Sequence, residues 1–142
     1  MSQFNQDDPQ LRIIRELAKI KADIRRSDSV QSPYDVANEN TPDQITINPN
    51  DYDPGNYSVL RLSTDAARNI TGISGGVKGR SLHIINVGTF TITLIYNSAL
   101  SVAANRFYIS TASNYALATN KIVDLYYDST IAMWRIIAPG SS

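Results

Sequence analysis

The feature that most constrains the fold is a succession of short alternating runs between Tyr57 and Ile137. In "YSVLRLS", Leu60 and Leu62 fall on one side of an extended chain, as expected of a half-buried strand. β-branched and aromatic residues fill the runs that follow, and no apolar period of helical length interrupts them. The strands are predicted at 44–47, 57–63, 80–87, 89–97, 106–110, 115–118, 122–127 and 132–137. About eight short strands indicate an antiparallel β-sandwich or jelly-roll-like domain.

Proline and glycine divide the chain into three parts. Four prolines lie between Pro33 and Pro54, and every glycine lies at Gly55 or later. We therefore predict an N-terminal helix over 1–28, a Pro/Asn/Asp-rich connector over 29–56 and the β-sandwich domain over 57–142. No internal repeat is evident in the sequence.

The N-terminal segment has the spacing of a coiled-coil seam. Asp8 suits the N-cap and Pro9 the first helical position. Four aliphatic residues follow at intervals of four, three and four, namely Ile13, Leu17, Ile20 and Ile24. In that register, leucine at a and isoleucine at d disfavour dimers and favour higher oligomers. The seam predicts self-association, docking on another protein, or packing on its own domain.

Composition excludes several classes of function. Thirteen basic and thirteen acidic residues give a formal net charge of zero, which removes the electrostatic basis for general nucleic-acid binding. No apolar run reaches the length of about 18 residues that a membrane span needs. The chain contains no cysteine, so it has no disulfide framework and no thiol nucleophile.

The glycine-rich stretch "GISGGVKGR", Gly72 to Arg80, raises the question of a phosphate loop. It matches neither the P-loop nor the dinucleotide pattern, and Arg80 opens a predicted strand instead of the helix that holds a phosphate. We interpret it as a turn or a site of close strand packing. No cofactor site is predicted.

Three further patterns are weak candidates for chemistry. Asp51 and Asp53 precede Gly55 as in a calcium loop, but the later EF-hand positions do not fit, and a turn is the leading interpretation. His83, the sole histidine, is expected to be a satisfied core or interface residue. Asp124 and Asp128 are formally a carboxylate pair, yet Asp128 falls in a predicted turn. We predict no catalytic residues and no metal site.

Tyrosine is more frequent than phenylalanine, with eight residues against three. Tyrosine suits partly wet surfaces, because its ring is apolar and its hydroxyl forms hydrogen bonds. Core or subunit-interface roles are expected for several of these residues. Tyr126 and Tyr127 are the candidates for a ligand platform that stacks on a sugar.

Two stretches, "GRSLHIINVGTFTITLIYNSALSVAANRFYI" and "IVDLYYDSTIAMWRII", resemble a β-domain found at the ends of tailed-bacteriophage structural proteins. The resemblance covers about residues 57–138, and "DPQLRIIRELAKI" is similar to the short anchoring arms of such proteins. The shared positions are Gly79, Leu82, Ile84, Asn86, Gly88, Thr89, Ile92, Thr93, Leu94, Asn97, Ser98, Ser101, Asn105, Arg106, Phe107, Tyr127, Asp128, Ser129, Trp134 and Arg135.

The resemblance implies a non-enzymatic virion component assembled in the host cytoplasm. It implies a homotrimeric appendage or decoration, similar to a short head or tail fibre, with other virion proteins as partners. The alternative is a receptor-binding tip that recognises a host-surface glycan. No long fibre shaft is present in the sequence, which argues against a main tail fibre.

Overall fold

A computed structural model describes residues 9–30 and 39–137, and for 21–30 it describes the backbone alone. The chain forms two compact units, Met1–Val36 and Ala37–Ser142. The first contains helix α1, Pro9–Val30, which begins at the proline predicted for the first helical position. Within the described ranges, no helix combines the length and apolarity that crossing a membrane requires.

The second unit is built from short strands, so the chain is mainly β, as predicted. One turn of 3-10 helix, Ala103–Asn105, precedes the sixth strand. The strands in the described part of the chain are β1 (Asp43–Ile45), β2 (Val59–Thr64), β3 (Arg68–Ile70), β4 (Ser81–Asn86), β5 (Ile92–Leu94), β6 (Phe107–Tyr108), β7 (Tyr115–Leu117), β8 (Ile122–Asp128) and β9 (Met133–Ile137).

The strands form two sheets of mixed direction. A six-stranded sheet has the order β1-β2-β4-β8-β9-β6, and a three-stranded sheet has the order β3-β5-β7. The β1/β2, β2/β4, β3/β5 and β6/β9 pairs are parallel. The β4/β8, β5/β7 and β8/β9 pairs are antiparallel. The prediction of an antiparallel domain is therefore wrong, because alternation of apolar residues shows which face of a strand is buried but not which way its neighbour runs.

The central strands repeat with a constant register. Leu60 of β2 lies opposite Ile84 of β4, and Arg68 of β3 lies opposite Ile92 of β5, each partner 24 residues further along the chain. The segment β2-β3 is thus one coil, and β4-β5 is a second coil stacked on it in parallel, as in a solenoid. The sequence did not reveal this repeat, because Leu62 of the first coil corresponds to the polar Asn86 of the second.

The core collects inward-facing side chains from both sheets. Trp134 and Phe107 are its largest fully buried members. The six-stranded sheet contributes Leu60, Leu62, Leu82, Ile84, Val123 and Leu125, and the three-stranded sheet contributes Ile70, Ile92, Leu94 and Leu117. Trp134 Nε1 donates a hydrogen bond to the Ile73 carbonyl at 2.8 Å, which satisfies its one polar atom inside the core.

The described part of the predicted connector, 39–56, belongs to the β unit. Asn40 donates its backbone N–H to the Val59 carbonyl, and Tyr52 donates to the Gly72 carbonyl. The strand predicted at 44–47 is present as β1. The domain boundary predicted at Tyr57 is therefore corrected to Ala37. The proline and asparagine residues of this segment correctly indicated irregular backbone. The boundary was misplaced because irregular backbone can also form hydrogen bonds with the edge of a sheet.

Candidate assembly surfaces

Helix α1 exposes large aliphatic side chains along one line. Ile13 is 59% exposed, Leu17 52% and Ile20 52%. These three residues, which we call the apolar stripe, stand at the d, a and d positions of the predicted seam. Ile14, beside the stripe, is 62% exposed. The side chain of Ile24 and the predicted N-cap Asp8 lie outside the described residues.

A second apolar surface lies on the six-stranded sheet, on the side opposite the core. Strand register aligns Val59, His83, Asp124 and Ile137 in one row across β2, β4, β8 and β9. The flanking rows are Arg61, Ile85 and Ile122 on one side and Ser81, Tyr126 and Arg135 on the other. We call these ten residues the outer face.

The outer face carries isoleucine where a solvated sheet normally carries polar residues. Ile122 is 51% exposed and Ile137 57% exposed, and both line a depression of about 540 Å³ with Val59 and Ile85. This surface was not predicted from the sequence. The sequence does contain evidence for it in "LHIIN" and "KIVDL". In both runs one apolar residue, Ile85 or Ile122, occupies a position that the alternation assigns to the solvent side of the strand.

The charged side chains of the outer face are paired within the chain. His83 Nδ1 contacts Asp124 Oδ1 across the β4/β8 pair. Arg61 forms an ion pair with Glu39 at 3.2 Å. Arg135 donates from Nε to Asp128 Oδ2 at 2.7 Å. The outer face therefore combines aliphatic surface with two arginines that are paired with acidic residues of the same chain.

Tyr126 and Tyr127 do not form a common platform, because adjacent strand residues point to opposite sides of a sheet. Tyr126 is 40% exposed on the outer face. Tyr127 is only 6% exposed and packs edge-to-face against Trp134, with ring centroids 5.2 Å apart. Its hydroxyl donates to the Ala104 carbonyl at 3.0 Å. The prediction for Tyr127 is corrected: it is a core residue, and Tyr126 remains the candidate for ligand contact.

The glycine-rich stretch is held as a structural turn. Arg80 donates to the Gly75, Gly55 and Tyr57 carbonyls at 2.8, 2.7 and 3.1 Å, so its guanidinium joins this stretch to the 55–57 turn. Burial lowers the pKa of Arg80, a cost that these carbonyl acceptors offset. A Cβ on Gly76 would lie 2.1 Å from the Tyr127 ring. The interpretation as close packing is confirmed.

The aspartates that resembled a calcium loop serve as turn and loop caps. Asp53 Oδ1 accepts the Gly55 N–H at 2.8 Å, which confirms the predicted turn. Asp51 Oδ1 accepts the Val102 N–H at 3.0 Å and an Asn105 amide hydrogen at 2.9 Å. In the described ranges, no group of three or more histidine, aspartate or glutamate side chains is placed to hold a metal ion.

Asp124 and Asp128 are engaged separately. They stand four residues apart on β8, a separation of about 13 Å along a strand. Glycoside hydrolysis requires carboxyl groups roughly 5–9.5 Å apart. Asp128 also accepts the Thr130 N–H at 2.9 Å, a contact typical of the turn predicted there. The Arg135 hydrogen bond, with the Thr130 N–H, lowers the pKa of Asp128 below its ordinary value.

A small cleft beside β1 places Tyr52, Asp43 and Tyr57 together. Its volume is about 320 Å³. Tyr52 donates its hydroxyl hydrogen to Asp43 Oδ2 at 2.9 Å. Burial, and then the Asp43 carboxylate, raise the pKa of Tyr52 above its ordinary value, so this hydroxyl remains a donor at neutral pH. Tyr57 is the exposed ring of the cleft, at 40%.

Several residues of the two stretches that the sequence singled out hold loops and sheets together. Asn86 is fully buried and donates to the Phe90 and Leu117 carbonyls at 2.8 and 2.9 Å, which ties β4 to β7 of the other sheet. Its Oδ1 accepts the Gly88 N–H at 3.0 Å. Asn97 adopts a left-handed backbone with φ 41°. Arg106 donates from Nε to the Ser101 carbonyl at 3.0 Å.

No protein family, curated protein or solved structure matches the chain.

Proposed function

We propose that this chain is a non-enzymatic structural protein of a bacteriophage virion. It is a short homotrimeric appendage or decoration, and its N-terminal helix associates with other copies and anchors them to capsid, neck or tail proteins. Residues 57–138 support the virion assignment through their resemblance to phage β-domains. In this proposal the mainly β unit, whose two sheets share one core, forms the projecting knob.

The observation that carries this proposal is the apolar stripe on α1. Ile13, Leu17 and Ile20 are each more than half exposed. Fully burying an aliphatic side chain of this size stabilises a protein by about 1.5–3 kcal/mol, and a stripe of three is a large apolar surface to leave in water. Because most helical stability in proteins comes from packing of an amphipathic face, association also stabilises the helix itself.

Leucine at a and isoleucine at d favour assemblies larger than a dimer, and a trimer agrees with the phage resemblance. In a parallel trimer, Glu16 at g and Lys21 at the following e are an attractive pair between helices, whereas Asp23 and Asp28 in the same relation repel. The zero net charge of the chain allows three copies to approach without mutual repulsion.

Light scattering on the full chain at micromolar concentration tests the assembly. We expect a mass three times the 15.7 kDa of one chain. Leu17→Asp should reduce that mass to the monomer value, because it places a carboxylate in the seam. Ala18→Asp is the matched control, since Ala18 is exposed at the adjacent b position and receives the same charge. A monomeric parent chain, or equal effects of the two variants, would contradict the proposal.

The virion assignment has its own test. Mass spectrometry of purified particles of the phage that encodes this sequence should detect peptides of the chain in fixed proportion to the capsid protein. Particles free of the chain would refute the virion role even if the chain trimerises.

A further inference from the structure

We infer that the outer face of the six-stranded sheet is the surface on which the β units of neighbouring copies pack together. This inference rests on the proposed function, because it takes the helix-driven assembly as given. It adds a second contact, centred on Ile122 and Ile137, to the one that the apolar stripe supplies.

The shape and composition of the outer face support an interface. Ile122, Ile137, Val59 and Ile85 form one continuous apolar surface because strand register places them in adjoining rows. Ile122 and Ile137 remain more than half exposed in the isolated chain. Contiguous exposed aliphatic side chains rimmed by polar groups are typical of protein–protein contacts. Tyr126 and Arg135, at the rim, belong to the residue types enriched at interfaces.

The electrostatics favour a second copy of this chain as the occupant. The charged side chains of the outer face, Arg61, His83, Asp124 and Arg135, have their partners within the same chain. A partner of strongly one-signed charge would gain no complementary contact there. A second copy of this chain presents the same aliphatic surface with arginines that are already paired, so neighbouring copies meet without a large excess of one charge, and the chain as a whole has zero net charge.

Because the copies are joined through α1, a modest apolar surface is sufficient to hold their β units together. Copies joined through α1 experience one another at an effective concentration in the millimolar range, so the second contact needs little affinity of its own. We therefore expect the outer face to be buried in the assembled protein and exposed to solvent when the helices separate.

The natural absence of cysteine allows a direct test. Ile122→Cys places a single thiol in the centre of the outer face, and Leu100→Cys places one at a residue that is 70% exposed outside that face. Each is made in the parent chain and in the Leu17→Asp chain. The rate of thiol alkylation is measured for all four, with mass by light scattering and folding by circular dichroism.

We expect the thiol at position 122 to react at least about tenfold more slowly in the assembly than in the dissociated Leu17→Asp chain, since alkylation requires the interface to open. The thiol at position 100 should react equally fast in both. An Ile122→Cys chain that folds but no longer assembles, while Leu100→Cys assembles, also supports the inference.

The opposing results are distinct. An assembled protein whose thiol at 122 reacts as fast as in the monomer would overturn the inference and leave the proposed trimer intact. A thiol at 122 that stays protected in the monomer would show that the chain covers its own outer face, which also overturns it. A monomeric parent chain would remove both proposals.

Discussion

Asn105 donates a side-chain hydrogen bond to Asp51 across 54 positions of sequence, at 2.9 Å. The same carboxylate oxygen accepts the Val102 N–H, and the Asp51 N–H donates to Ser101 Oγ at 3.2 Å. Asp51 adopts a left-handed backbone with φ 53°, a conformation that aspartate and asparagine tolerate better than other non-glycine residues. This one residue therefore fastens the loop before β6 to the segment that the sequence presented as a linker.

Asp51→Ala should lower the free energy of unfolding by about 2–4 kcal/mol, because it removes two charge-assisted hydrogen bonds and leaves alanine in a left-handed conformation. Asp51→Asn keeps an acceptor oxygen and should cost less. Urea unfolding, followed by the fluorescence of Trp134, measures both. Asp53→Ala is the control, since Asp53 Oδ1 accepts one exposed N–H from Gly55. An Asp51→Ala cost no greater than that of Asp53→Ala would contradict the role assigned to Asp51.

The glycine-rich stretch predicts a contrast between two similar substitutions. A Cβ at Gly76 would lie 2.1 Å from the Tyr127 ring, which packs against Trp134, whereas a Cβ at Gly79 meets nothing within 4 Å. Gly79 has φ +79°, so Gly79→Ala should cost about 1–2 kcal/mol from backbone strain alone. Gly76→Ala should cost more, about 2–4 kcal/mol, because it displaces a core aromatic ring. Thermal unfolding by circular dichroism ranks the two, and the reverse order would refute the packing argument.

The Asp128–Arg135 pair predicts a pH dependence. The pKa of Asp128 is lowered in the folded chain, chiefly by the Arg135 hydrogen bond, so its contribution is complete above its unfolded pKa of about 3.9 and is lost as the pH falls through the folded value. Asp128→Asn keeps the turn acceptor for Thr130 and removes the charge. We expect its melting temperature to lie below that of the parent at pH 7 and to converge with it as the pH falls through the lowered pKa of Asp128.

Melting curves from pH 7 to pH 2, at low and high salt, measure this convergence. Because the pair is exposed, added salt should shrink the difference at pH 7. A difference that is unchanged by both pH and salt would mean that the charge of Asp128 plays no part.

The sequence predicted strand positions well and their pairing poorly. Leu82, Ile84, Val123 and Leu125 alternate with polar or exposed neighbours, and each is buried as that pattern requires. The same alternation is compatible with a parallel or an antiparallel neighbour, so the mixed topology of the sheets could not be predicted from it. Strand β3 was missed because "RNI" is too short to show a period.

The orientation of Tyr126 and Tyr127 could be predicted from the alternation of buried and exposed residues along β8. Val123 and Leu125 face inward, so Tyr127 two residues on must face inward as well, and Tyr126 must face out. Ile13, Leu17 and Ile20 are exposed on α1, and their role as an assembly contact stays a prediction. The outer face was harder to foresee, because it exists only once β2, β4, β8 and β9 stand side by side.

The matched register of the two stacked coils limits how the length of this protein can vary. Since β2/β4 and β3/β5 keep the same 24-residue step, losing one residue within β2 or β3 would shift the rest of that strand against its neighbour and turn its apolar side chains outward. Changes of length are therefore expected in the loops between the strands. The 24-residue step does not extend to the first strand, because Asp43 of β1 lies opposite Leu62 of β2, only 19 positions further along the chain.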